Sequence, residues 1–142
     1  MTDLLVLAPD ELERAQRLAD DRARARWVAS RAFLRRSLAP LVGLDPADVA
    51  FQVSATGKPS LPGGPWFSLS HSAGQALLAI SAGAPVGADL ELVRPELAQA
   101  PSVERYFSAE ERAELAALEG EPRARRLFQL WTLKEAYLKA TG

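Results

Sequence analysis

Residues 9–42 carry an apolar repeat of helical spacing, and from Gly43 onward turn signals interrupt the chain at short intervals. This division constrains the fold more than any other feature, because a long helical block followed by short strands and more helices is the pattern of an α+β protein. In the first block Trp27, Leu34, Leu38 and Leu41 share one helix face. Asp10 is expected to cap the first helix, with Glu11 and Glu13 in the opening turn, where the helix dipole favours acids. Pro40 and Gly43 mark its end. Residues 45–48 read as a turn and residues 50–53 as a strand; Thr56-Gly57-Lys58-Pro59 and Pro62-Gly63-Gly64-Pro65 are sharp turns. Residues 66–70 alternate apolar and polar, as a strand does, and the apolar run 75–81 is expected to be a buried strand. After Gly83-Ala84-Pro85, residues 86–93 form the next expected strand, with Leu90 and Leu92 pointing into the core and Asp89 and Glu91 on the opposite face. Ser108 and Glu111 form a capping box for a helix to about residue 119, and Pro122 opens a last helix to about residue 140.

Several function classes are excluded or disfavoured. At 142 residues the chain suffices for one domain or two small lobes with a real core. It contains no cysteine, so disulfides, iron–sulfur clusters and thiolate zinc sites are ruled out. His71 is the only histidine, so no site with two His ligands exists. The first residues lack the basic start of a secretory signal, no apolar run is long enough to span a membrane, and a cytoplasmic location is expected. Lys and Arg number 17 against 18 Asp and Glu, which disfavours a general nucleic-acid binder, although the arginines between Arg14 and Arg36 keep that class open.

Four constellations carry chemistry. In Gly87-Ala88-Asp89-Leu90-Glu91 two carboxylates share a strand face; their repulsion is relieved either by a hard cation such as Mg²⁺ or by solvent. On the last helix Glu135 and Lys139 are four residues apart, placed either for proton transfer or for an ordinary surface ion pair. His71 stands between Ser70 and Ser72 at a strand end. Strand geometry argues against a Ser–His nucleophile and leaves anion binding or a plain polar turn. Arg31 falls on the Trp27–Leu34–Leu38 stripe, where a guanidinium must snorkel out or meet a buried anion; phosphate suits its forked donors, and Lys58 adds a charge in a fixed turn. Acidic oxygens, phosphate-binding cations and a proton-moving pair together describe a phosphoryl-type transfer, with no P-loop and no dinucleotide fingerprint.

The order Gly57-Lys58-Pro59, Phe67-Ser68-Leu69-Ser70-His71-Ser72, Gly87-Ala88-Asp89-Leu90-Glu91 and Trp131-Thr132-Leu133-Lys134-Glu135-Ala136-Tyr137-Leu138-Lys139 resembles the 4′-phosphopantetheinyl transferase superfamily, in its two-lobed, surfactin-synthetase-activating type. The resemblance implies an α+β pseudo-dimer, with residues 1–83 as the N-terminal lobe and 84–142 as the start of a C-terminal lobe. It further implies transfer of the phosphopantetheine arm of coenzyme A onto a serine of an apo acyl or peptidyl carrier protein. Asp89, Glu91 and Glu135 would hold Mg²⁺. Glu135 would also take the serine proton, Lys139 would stabilise the departing phosphate, and Ser70, His71, Lys58 and Arg31 would contact coenzyme A phosphates, with Arg24, Arg26 and Arg35 as competitors for the last role. Members of this type continue past the Trp-Thr-x-Lys-Glu helix, whereas this chain ends at Gly142, so the second lobe is expected to be incomplete. The same feature leaves a non-catalytic module that binds coenzyme A or a carrier protein as the alternative.

Overall fold

The computed structural model describes residues 3–54, 57–99 and 101–142. Two helices, α1 (Pro9–Arg17) and α2 (Asp21–Val42), precede a small hairpin, β1 (Gln52–Val53) with β2 (Pro59–Ser60), and a longer hairpin, β3 (Trp66–Ser72) with β4 (Gln75–Ser81). An irregular extended segment then leads through two 3₁₀ turns to α3 (Ala109–Ala116) and α4 (Gly120–Thr141). The α+β class expected from the sequence is present.

The helix boundaries follow local chemistry. The Asp20 carboxylate accepts the Arg22 amide at the start of α2. Gly43, at φ +69°, ends α2 in the left-handed conformation, and Leu44 donates back to the Ala39 carbonyl. Pro40 lies inside the final turn and does not stop the helix. The cap of α1 differs from expectation: the helix starts at Pro9, and the Glu11 carboxylate accepts the Ala8 amide, so Asp10 is not the cap. Proline at the first helical position needs no N–H, which explains the earlier start. Ser108 and Glu111 form the expected capping box of α3.

Three apolar clusters hold the elements together. Leu7, Ala15, Val28 and Ala32 join α1 to α2. Leu34, Leu38, Ala39, Val49, Leu61 and Phe67 join α2 to the hairpins. Phe107, Leu115, Ala124, Leu127, Phe128 and Leu130 join α3 to α4, with Trp131 packed alongside and its ring edge-on to Tyr106 at 5.2 Å. The predicted α2 stripe is buried only at Leu34 and Leu38; Trp27 is half-buried and Leu41 exposed.

Arg35, only 2% exposed, crosses the core beside that stripe. Its Nε donates to Glu11 Oε2 at 2.6 Å, and its Nη1 donates to the carbonyls of Pro46, Ala47 and Val49. Arg31 donates to Glu11 Oε1. Burial pushes the Glu11 carboxyl up, but the hydrogen bonds from Arg35, the Ala8 amide and Arg31 outweigh it and hold the group below the usual carboxylate range.

β3 and β4 pair antiparallel from Trp66↔Ser81 to Ser72↔Gln75 around a two-residue turn, Ala73-Gly74. Both turn residues have positive φ, +51° for Ala73 and +81° for Gly74, the mirror-image turn that favours Asn-Gly. Alanine resists that conformation, so Ala73→Asn is expected to add about 0.5–1 kcal/mol of stability. The check is the urea midpoint, which should rise at unchanged slope; a fall would contradict the reading of this turn. β4 is not the buried strand its apolar run suggests: Leu77 and Ile80 are 43% and 41% exposed.

Candidate functional site

β3 is covered on both faces. Phe67 and Leu69 turn to the α2 cluster, and Ser68 and Ser70 on the other face are buried too, at 5% and 7% exposure. What covers the serines is the extended segment around residues 86–93. It does not enter a backbone ladder; its amides bond to side chains instead. Ala88 N–H donates to Ser68 Oγ at 3.1 Å, Leu90 N–H to Ser70 Oγ at 3.2 Å, and Leu92 N–H to Ser72 Oγ at 3.1 Å.

This placement reverses the expected faces. Leu92 is 54% exposed, and the Asp89 side chain is only 5% exposed. The carboxylates point inward because their partners stand there. Ser70 Oγ–H donates to Asp89 Oδ1 at 2.9 Å, and Ser72 Oγ–H donates to Glu91 Oε2 at 3.3 Å. From α4, Lys139 Nζ reaches Asp89 Oδ1 at 2.5 Å and Ser70 Oγ at 3.2 Å. Lys58 in turn donates its ammonium to the Lys139 carbonyl, tying the β1–β2 turn to the end of α4. Gly87 permits this close seating: a Cβ there would lie 1.7 Å from the Ala136 carbonyl oxygen.

The structure thus brings Ser70, Asp89 and Lys139 into one cluster, with Lys58 beside it and Glu91 one rung along. The expected Glu135–Lys139 pair is not formed. Lys139 prefers the buried Asp89 carboxylate, where a lower dielectric strengthens the attraction. Glu135 is half-buried on the same helix and makes no hydrogen bond to another described residue. Lys134, its neighbour, pairs with Glu111 at 2.9 Å.

The oxygens present suit a hard cation in kind, and Asp89 Oδ2 is a buried acceptor with no hydrogen-bond donor among the described residues. Among the described residues, however, no three carboxylate or imidazole groups are gathered closely enough to form a metal cage.

His71 is exposed and faces away from this cluster. It lines a cleft of about 600 Å³ between the first half of α2 and the β3–β4 turn, together with Arg26, Trp27, Ser30 and Phe33. Neither Ser70 nor Ser72 bonds to it, as strand geometry predicts. The buried anion that Arg31 meets is Glu11, on α1. Sequence reasoning missed Glu11 as that partner and missed Ser68 and Ser72 as amide acceptors. A visible signal existed for the serines: residues 68, 70 and 72 and residues 87–92 are two period-two patterns of matching length.

No described helix is long and apolar enough to cross a membrane. Residues 85–142 match the family described as the 4′-phosphopantetheinyl transferase superfamily. The chain is 39% identical to the 4′-phosphopantetheinyl transferase HetI of a Nostoc species, over 96% of its own length and 60% of the relative's. It is 35% identical to the 4′-phosphopantetheinyl transferase AcpT of Salmonella typhimurium, over 84% of this chain and 59% of that one. A 4′-phosphopantetheinyl transferase of Bacillus subtilis is 28% identical over 98% of this chain and 62% of its own length. The chain therefore spans about three fifths of the length of these curated relatives. These matches fall on the segment that carries Asp89, Glu91 and Lys139 and on most of the remainder of the chain.

Proposed function

We propose that this protein transfers the 4′-phosphopantetheine arm of coenzyme A to a serine hydroxyl of an apo carrier protein. The observation that carries the reading is the buried Asp89 carboxylate, held by Ser70 and Lys139 with one oxygen left open, inside the segment that matches the superfamily. In this reading the serine oxygen forms a bond to the phosphorus bearing the pantetheine arm. The bond from that phosphorus to the bridging oxygen breaks, and adenosine 3′,5′-bisphosphate leaves. Glu135, which bonds to no other side chain among the described residues, accepts the serine proton directly or through a water. Lys139 turns from Asp89 to the departing phosphate and stabilises its charge. Asp89, Glu91 and Glu135 would hold Mg²⁺, which when bound supplies positive charge at the pyrophosphate. His71 would meet a coenzyme A phosphate from its cleft, and Ser70 and Lys58 would do so only by sharing groups that also hold Asp89 and the Lys139 carbonyl. Arg31 would do so only by sharing its guanidinium with Glu11, which leaves Arg26, exposed in the His71 cleft, as the freer arginine.

The lobes of this reading are residues 1–83 and 84–142, as in the two-lobed, surfactin-synthetase-activating type. The alternative reading is a module that binds coenzyme A or a carrier protein without transfer. It is favoured by the carboxylates, which are not gathered into one cluster among the described residues.

Intact-mass spectrometry of an apo carrier protein tests both. The chain, coenzyme A and Mg²⁺ should add one phosphopantetheine arm, and omitting the metal should prevent it. Asp89→Ala should lower the rate by about 10²-fold, the usual loss when one charge-stabilising group is removed. Coenzyme A binding without mass gain would favour the module, and near-normal turnover of Asp89→Ala would sink the role given to Asp89.

A further inference from the structure

We infer that Ser68 and Ser72, together with Ser70, are positioning residues: their hydroxyls take the place of a neighbouring strand and hold residues 87–92 in the one register that turns Asp89 and Glu91 inward. Three observations converge. The amides of Ala88, Leu90 and Leu92 all donate to serine oxygens at a constant offset of 20 residues, so the segment runs parallel to β3. Two of the hydroxyls act in both directions. Ser70 accepts the Leu90 amide and donates to Asp89, and Ser72 accepts the Leu92 amide and donates to Glu91. Each rung therefore fixes one amide and the carboxylate just before it. At the first rung the preceding residue is Gly87, whose missing side chain leaves room for the α4 backbone.

A slip of one residue would present the wrong backbone groups to the hydroxyls and carry both carboxylates to the opposite face. A slip of two in one direction would bring Gly87 opposite Ser70 and move both carboxylates away from Lys139; in the other it would put Glu91 there and carry Asp89 to Ser68. A backbone ladder would fix the segment's register but would not orient the carboxylates. A hydroxyl does both, because it accepts and donates at once.

Amide hydrogen exchange on the isotope-labelled full chain tests this without reference to activity. The amides of Ala88, Leu90 and Leu92 should exchange at least about tenfold more slowly than those of Asp89 and Glu91, giving a two-residue alternation in a segment outside any ladder. Ser68→Ala should raise exchange at Ala88 by about tenfold, and Ser72→Ala should do the same at Leu92. Ser68 is buried and its variant can fail to fold; Ser72 is half-buried, and Ser72→Thr, which keeps a hydroxyl, should restore the Leu92 rate. Uniform exchange over 88–92, or unchanged rates in Ser72→Ala, would overturn the inference.

The consequence for transfer rests on the proposed function. There Ser72→Ala should lower kcat by about tenfold at unchanged KM for coenzyme A, with Ser72→Thr recovering it, as expected for a group that orients a ligand-bearing carboxylate. A chain that alternates in exchange but transfers nothing supports the ladder and removes the function. A Ser72→Ala variant that loses Leu92 protection yet keeps full kcat overturns the positioning role.

Discussion

Replacing Gly87 with alanine is expected to unseat the end of α4 and lower the melting temperature by about 10 °C, equivalent to roughly 3 kcal/mol or more. The new Cβ would stand 1.7 Å from the Ala136 carbonyl oxygen and 2.8 Å from the Ala140 amide nitrogen. These are helix backbone atoms that cannot rotate away as a long side chain could. Either α4 or the 86–93 segment must move by more than an ångström, and Lys139 is carried on the same turn of helix. The Asp89–Lys139 pair, 2.5 Å long, cannot survive that displacement. Thermal unfolding checks the stability. Exchange at the Leu90 amide, which shares Ser70 with this pair, checks the site. A variant with wild-type melting temperature and unchanged Leu90 exchange would mean that the close seating of α4 on Gly87 is not held in solution.

Glu11→Ala is expected to cost about 3–5 kcal/mol, because it strands the Arg35 guanidinium in the core. Glu11 and Arg35 are 5% and 2% exposed, so solvent screens neither. The carbonyls of Pro46, Ala47 and Val49 remain on Arg35, but they carry no net charge to balance it. The pH dependence follows the same pair. Glu11 titrates lower folded than unfolded, so its contribution is fully present above the ordinary carboxylate value of 4.5 and is lost as pH falls through the depressed folded value. Urea midpoints measured from pH 7 downward should therefore fall more gently below about pH 4.5 in Glu11→Gln than in the wild type, from a lower starting stability. A shift of less than about 1 kcal/mol at pH 7 in Glu11→Ala would show that the buried pair is not what fastens α1.

These two sites also show what the sequence could and could not reveal. Helix spans were legible where local chemistry decides them, as at Ser108 with Glu111 and at Gly43 after α2. The period-two pattern of residues 86–93 was legible too, but a period does not say which face is covered. That depended on Ser68 and Ser70 approaching from nearly twenty residues earlier and on Lys139 fifty residues later. The same holds for Arg31: its place on an apolar stripe called for an anion, but Glu11 lies twenty residues away on another helix. Glu135 and Lys139 obeyed helical spacing as a geometric fact, yet a buried carboxylate outcompeted the neighbour on the same helix. The apolar run 75–81 gave a correct strand but a wrong burial, because residue type alone does not count the layers that stack on a sheet. Among the chemistry-bearing residues, motif order pointed to the segment that the family model also matches, whereas the partners of its side chains required the fold.

The constant offset between the serines and the amides they hold bears on how such a gene tolerates length variation. Residues 82–86 form the connection between β4 and the acidic segment, and extra codons there would lengthen an open loop at little energetic expense, about 0.6 kcal/mol per doubling. A single codon inserted between Ala88 and Asp89 would invert every downstream side chain relative to β3, turning Asp89 to the opposite face and placing Leu90 where Glu91 now stands. Descendants of this sequence are thus free to drift in loop length just ahead of the acidic segment, while within it the reading distance from serine to carboxylate is frozen.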